Sequence, residues 1–165
     1  MGSIGGAVQE KKNEAPAIVP PEWGRIHILQ LQVPVATGDS TKEERKEVIL
    51  LNLGNGGDFK KAIAWGEHNN LKRTTQQYVL AIGRQKPRLH RELGMDPMYV
   101  VTSEEYTFGG RPPRVFHVWW RGKECAESIH WIGLARDPYG WVAFLRDNSL
   151  NGTWGPQTSG CSRPL

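Results

Sequence analysis

Gly83-Arg84 follows the compact apolar run 78–82, and Asn151-Gly152-Thr153-Trp154 follows the run 141–145. An arginine at such a point presents a planar fork of donors that can engage phosphate oxygens bidentately, where a lysine would offer only a mobile point charge. The surroundings also favour an anion. From Lys72 to Arg91 every charged side chain is Lys or Arg, a local concentration that the formal net charge of +4 conceals. Such a stretch attracts phosphate on a protein or the backbone of a nucleic acid; its plain alternative is a solvated loop with no partner. Taken singly, Arg84 reads better as a surface partner for a carboxylate, and Asn151-Gly152 as a hairpin turn.

Other chemistry finds less support. His27, His68, His90, His117 and His130 are scattered, and neither they nor Cys125 and Cys161 have zinc-site spacing. Gly54-Asn55-Gly56-Gly57 lacks the Lys-Ser/Thr of a phosphate loop, and no nucleophile elbow is present. The expectation is a binding module with no metal, no cofactor and no enzymatic activity. Trp119, Trp120, Trp131, Trp141 and Trp154 read as core and sheet packing before they read as a base-stacking platform.

The elements that must position these residues are short. At 165 residues there is room for one domain. Residues 1–20 read as a mobile leader, 21–154 as the domain and 155–165 as a polar tail. From Arg25 to Val35 apolar and polar residues alternate, with Leu29, Leu31, Val33 and Val35 on one face of a first strand. Thr41 and Glu44 have capping-box spacing for a helix over 42–53, whereas 48–53 also reads as a strand turning at Asn55-Gly56. Residues 58–75 read as a weakly structured, insertion-like connection. Runs at 78–82, 98–102, 115–120, 129–134 and 141–145 read as strands, with turns at Phe108-Gly109-Gly110-Arg111-Pro112-Pro113 and Asp137-Pro138-Tyr139-Gly140. Their spacing predicts an all-β fold, an antiparallel β-sandwich with a short helical insertion.

In the order and spacing of Gly83-Arg84 and Asn151-Gly152-Thr153, the chain resembles the forkhead-associated (FHA) family. The stretch from Trp141 through Leu145, Arg146-Asp147-Asn148-Ser149-Leu150 and Asn151-Gly152-Thr153-Trp154 is similar to that family's strand, acidic turn and Asn-Gly-Thr sequence. The start, Trp23-Gly24-Arg25-Ile26 through Val33-Pro34-Val35, resembles FHA domains of fungal DNA-damage checkpoint kinases. The resemblance implies phosphothreonine recognition in protein segments, in nuclear checkpoint signalling. Arg84 would meet the phosphate and Asn151 the peptide main chain. Gly83, Gly152 and Thr153 would shape the loops.

This sequence departs from the family pattern in three places. The family's Ser-x-x-His motif falls on Pro112-Pro113-Arg114-Val115, so its phosphate-binding hydroxyl is missing and Arg111 or Arg114 would have to supply replacement charge. A shifted register would use Ser103 and put Tyr106 where His is expected. Leu150 stands where a small polar residue is usual, and the strands that follow Asn-Gly-Thr in the family are absent. An FHA-like chain cut short in this way would expose a sheet edge for self-association, or be a fragment of a longer protein. The rival function is a basic module for RNA or DNA, using residues 72–91 with exposed aromatics. A third is an FHA-like interaction domain that has lost phosphopeptide binding. No apolar run is long enough to span a bilayer, and the first residues lack a secretory pattern. With two cysteines, an intracellular, nuclear setting is expected.

Overall fold

Runs that are apolar at every position sit where water is excluded on both sides, and two of them, 98–101 and 141–145, form the centre of a sheet. A computed structural model describes residues 17–54, 56–125, 130–133 and 138–146. The chain divides into two compact units. One is Met1–Val19, Pro34–Glu43 and Asp147–Leu165, of which 17–19 and Pro34–Glu43 are described; the other is Pro20–Val33 with Glu44–Arg146.

The elements in order are β1 (Ile26–Thr37), β2 (Ser40–Asn52), α1 (Phe59–His68), β3 (Lys72–Arg73), α2 (Gln76–Gln85), α3 (Leu89–Glu92), β4 (Met98–Thr102), β5 (Arg114–Arg121), β6 (Glu124–Cys125), β7 (His130–Gly133) and β8 (Gly140–Arg146). The strands join one sheet in the order β1-β2-β8-β4-β5-β6, with β3 also on β8 and β7 on β5. β2 pairs antiparallel with β8 from Glu47↔Arg146 to Asn52↔Trp141. β4 pairs parallel with β8 from Tyr99↔Gly140 to Thr102↔Ala143.

The fold is therefore β-rich but mixed and open, and this corrects the purely antiparallel expectation. A parallel pair cannot be closed by a tight turn, because the chain must cross from one end of the sheet to the other. All the strands among the described residues belong to this sheet, and helices cover its two faces. Trp141 and Ala143 of β8 share a core with Leu31, Leu50, Val100, Val118 and Trp120, onto which α2 and α3 lay Val79, Ile82 and Leu89. Val142 and Phe144 alternate to the opposite face. There the ring of Trp65 on α1 meets Phe144 edge-on at 5.8 Å.

Several expected elements stand as read. Leu29, Leu31 and Val33 are buried on β1 while Gln30 and Gln32 are exposed; the side chain of Val35 lies outside the described residues. Residues 98–102, 115–120 and 141–145 are strands, and 130–133 covers the described part of the run 129–134. Of the two readings for the stretch 42–53, the strand holds over 48–52 and the helix over 42–53 does not, since these residues belong to the longer β2, which ends at Asn52.

Two segments differ. Residues 78–82 lie within α2, where Val79, Ile82 and Gly83 fall on one buried stripe at helical spacing. Five successive apolar residues fit a buried strand or a buried helix equally well, and packing on β4 and β5 selects the helix. The supposedly weak connection 58–75 contains α1. Its cap is Asp58, whose carboxylate accepts the Lys61 N–H at 2.9 Å, and Phe59, Ala62, Trp65 and Gly66 form its buried face.

Gly66 is where α1 comes closest to the sheet, since a Cβ there would overlap the Phe144 ring. Gly→Ala inside a helix ordinarily stabilises by about 1 kcal/mol. Here the overlap reverses the sign: Gly66→Ala should destabilise by roughly 1–3 kcal/mol, as overpacking does. Urea denaturation checks this, and Phe144→Leu in the same chain should recover part of the loss.

Candidate functional site

The basic stretch is divided by α2 into two groups with different surroundings. Lys72 and Arg73 are on β3, where Arg73 reaches Glu67 at 3.1 Å and Glu104 at 3.9 Å. Arg84, Arg88 and Arg91 are exposed at the far end of α2 and on α3. A helix rises 1.5 Å per residue, so about 15 Å of α2 separates the groups.

That far end is held by backbone-directed contacts. The buried Trp120 indole donates from Nε1 to the Lys86 carbonyl at 3.0 Å. The Gln85 side-chain amide accepts from the Gln32 N–H at 3.1 Å and donates to the Gln32 carbonyl at 2.6 Å. Both groups of Gln32 point away from β2, so Gln85 occupies the outer edge of β1 at that residue. Pro87 then ends the helical run, and the single turn α3 buries Leu89 and His90 while leaving Arg88 and Arg91 in water.

The tip between β5 and β6 meets α3. Gly122, at φ +59, donates its N–H to both Asp96 carboxylate oxygens, at 3.0 and 3.1 Å. Its carbonyl lies 2.6 Å from His90 Nε2. A carbonyl can only accept, so Nε2 carries the proton. His90 Nδ1 is buried without a hydrogen-bond partner among the described residues. Arg91 Nη2 lies 3.5 Å from the same carbonyl, a long contact. Because Gly122 is tied to His90 and Asp96, its neighbours Arg121 and Lys123 are at the end of the sheet that α3 reaches. Arg84, Arg88, Arg91, Arg121 and Lys123 are all exposed, as are Glu92 and Asp96, so the end is basic on balance.

Arg111 and Arg114 are elsewhere. Arg111 is exposed in the turn after Gly109 and Gly110, its N–H bonded to the Phe108 carbonyl at 3.0 Å. Arg114 opens β5 and exchanges two backbone hydrogen bonds of 2.8 Å with Tyr106. Tyr106 is hydrogen-bonded to the Gln76 backbone at the start of α2, and burial raises its pKa above the ordinary phenol value. Arg114 thus lies at the beginning of α2 and Arg84 at its end. Strand rise places Arg114 about 20 Å along β5 from Trp120, the residue that bonds Lys86.

The other site residues follow from the same layout. Gly83 is buried in α2. Asn151, Gly152 and Thr153 lie outside the described residues, as does Leu150. Ser103, the alternative to the missing family serine, is interior: its Oγ accepts the Thr74 N–H at 2.6 Å, while Thr74 Oγ1 donates to the Ala143 carbonyl at 2.7 Å. It ties β3 to β4 and β8.

Sequence reasoning missed Arg121 and Lys123. They are remote from Arg91 in the chain, and the only local signal was Gly122 between two cations. A shallow groove of about 310 Å³ is lined by Glu22, Trp23, Gly24, Arg25, Asn52 and Gly54. Asn52 Nδ2 there donates to the Pro138 and Gly140 carbonyls, both at 3.0 Å, and Arg25 stacks over Trp141 at 5.1 Å. Those side chains close the structure around β8. Among the described residues no cluster of His, Cys, Asp or Glu could hold a metal ion.

The titration of His27 is set chiefly by its burial. Burial pushes its pKa below 6.5; Glu92 pulls it up, and Lys86 and Arg25 push it further down. The unfolded chain therefore binds the proton more readily than the folded one, and stability falls as pH drops from 6.5 to the depressed folded value, then levels off. His27→Gln should remove this component. Urea midpoints of both proteins across pH 5 to 7 measure it, with the wild type losing ground relative to the variant on acidification.

No protein-family model, curated protein or solved structure matches this chain.

Proposed function

We propose that this protein is a non-enzymatic binding module for nucleic acid, and that the basic end formed by Arg84, Arg88, Arg91, Arg121 and Lys123 is its phosphate-contacting surface. The observation that carries this reading is that the His90–Gly122 contact joins two separate chain segments, one bearing exposed Arg84, Arg88 and Arg91 and the other exposed Arg121 and Lys123. Exposed cations spaced along a surface suit a repeating polyanion, because each can displace a condensed counterion without a desolvation penalty for a buried charge. One phosphate group would use only part of such a surface.

Phosphothreonine recognition by an FHA-like sandwich, centred on Arg84 and Asn151, is the rival. Its support is the motif resemblance, and it requires the Asn151 loop to reach the C-terminal end of α2 and a second sheet to face the first. The placement of Gly83-Arg84 inside a helix favours nucleic acid.

Fluorescence anisotropy with labelled single-stranded and duplex oligonucleotides over a salt series tests the proposal. Binding should weaken steeply with salt, and Arg84→Ala/Arg88→Ala/Arg91→Ala should flatten the log–log slope by roughly 0.7–0.9 for each phosphate that is no longer neutralised. Absence of binding at roughly 50 mM salt rejects the reading. A preference for a phosphothreonine peptide over its unphosphorylated twin, abolished in Arg84→Ala, would transfer the function to the rival.

A further inference from the structure

Adjacent tryptophans on β5 have opposite fates. Trp120 is fully buried in the core beneath α2. Trp119 alternates toward the other face of the sheet, where it is half-buried while still packing against the margin of the same core. Directly opposite it on β4 is Tyr99, in register at Tyr99↔Trp119, and Tyr99 is also half-buried. His117, next along the same face of β5, meets the Tyr99 ring edge-on, with centroids 5.9 Å apart and planes at 83°.

Two further features organise this row. The Tyr99 ring extends over Gly140 of β8, where a Cβ would come within 2.8 Å of it, so the glycine leaves room for the ring to lie across the neighbouring strand. At the other end the Arg121 guanidinium lies over the Trp119 ring, 5.9 Å from its centroid. Arg121 is one of the five cations of the basic end, and Gly122 beside it is the residue held by His90 and Asp96. Arg121 thus continues the aromatic row on this face of β5, and Gly122 beside it links the strand end to α3.

We infer that Tyr99, His117 and Trp119 form a base-stacking platform, and that the nucleic acid bound at the basic end is single-stranded. This rests on the function proposed above. Charge complementarity selects the occupant: an apolar protein surface would cover the rings but leave Arg121 unmatched, whereas a single strand offers π-faces to the rings and phosphates to Arg121 and its neighbours. In a duplex the base faces are already stacked on one another, so the rings would have no role. Cross-strand side chains stand about 5 Å apart, close enough for successive unstacked bases to use neighbouring rings.

The experiment uses the full chain with a short fluorescein-labelled oligothymidylate and a duplex of the same length, at low salt. The single strand should bind more tightly than the duplex and quench tryptophan fluorescence. Trp119→Leu should weaken single-strand binding about tenfold, which corresponds to ~1.4 kcal/mol. It should leave the salt slope unchanged, because every phosphate keeps its cation. Trp119→Phe should restore most of the affinity, and His117→Ala provides a second variant should Trp119→Leu fail to fold. Equal affinity for duplex and single strand, or affinity unaltered in Trp119→Leu and His117→Ala, overturns the platform. If those variants are silent while the Arg84, Arg88 and Arg91 variants weaken binding, the nucleic-acid reading stands and only the platform falls. If neither oligonucleotide binds, both fall.

Discussion

β8 holds Trp141, Val142, Ala143 and Phe144 at no more than 1% exposure, and its backbone is bonded to β2 on one side and to β4 and β3 on the other. A strand this apolar cannot leave either face in water, so it requires a helix layer on each side. That requirement accounts for much of the described structure. α1 covers the Phe144 face, with Gly66 allowing the close approach, and α2 covers the Trp141–Ala143 face. Asn52 closes the start of β8 by giving its two amide protons to the Pro138 and Gly140 carbonyls. Thr74 bonds the Ala143 carbonyl further along. These buried polar groups are satisfied where an unpaired one would cost about 1–3 kcal/mol each.

The same layering places the charges. α2 must lie along β4 and β5 to cover the core, so its cationic C-terminal end necessarily arrives at the β5–β6 tip. Cations near a helix C-terminus are also favoured by the macrodipole. The links there, Trp120 to Lys86 and His90 to Gly122, go from side chain to backbone and leave the arginine heads uncommitted to the core. The fold thus supplies a rigid support and the cations remain hydrated. In the opposite basic group, Arg73 faces Glu67 and Glu104, so the charge on β3 is partly neutralised at the surface.

The FHA resemblance depends on loops at strand ends. Gly83-Arg84 instead terminates a helix, and Arg114 begins a strand at the other end of that helix. A two-residue motif constrains its backbone so little that either conformation accommodates it. Its meaning was borrowed from the neighbouring run 78–82, and when that run folds as α2 the motif's loop context goes with it.

What the sequence alone determined were the elements whose burial is written in local pattern. Leu29, Leu31 and Val33 alternate with Gln30 and Gln32, which marks one buried strand face, and the unbroken apolar run of β8 marks a strand buried on both. α1 was equally present in the sequence, in the Asp58 cap and the spacing of Phe59, Ala62 and Trp65, but its polar and glycine content masked it. The choice of helix for 78–82 was tertiary, since five apolar residues carry no periodicity and only the surface of β4 and β5 decides between conformations. Parallel pairing of β4 with β8 was tertiary as well, because it joins segments whose register no turn sets. So was the joining of α3 to the turn between Arg121 and Lys123: it depends on one buried histidine reaching one glycine carbonyl, a long-range contact that leaves no trace in local spacing.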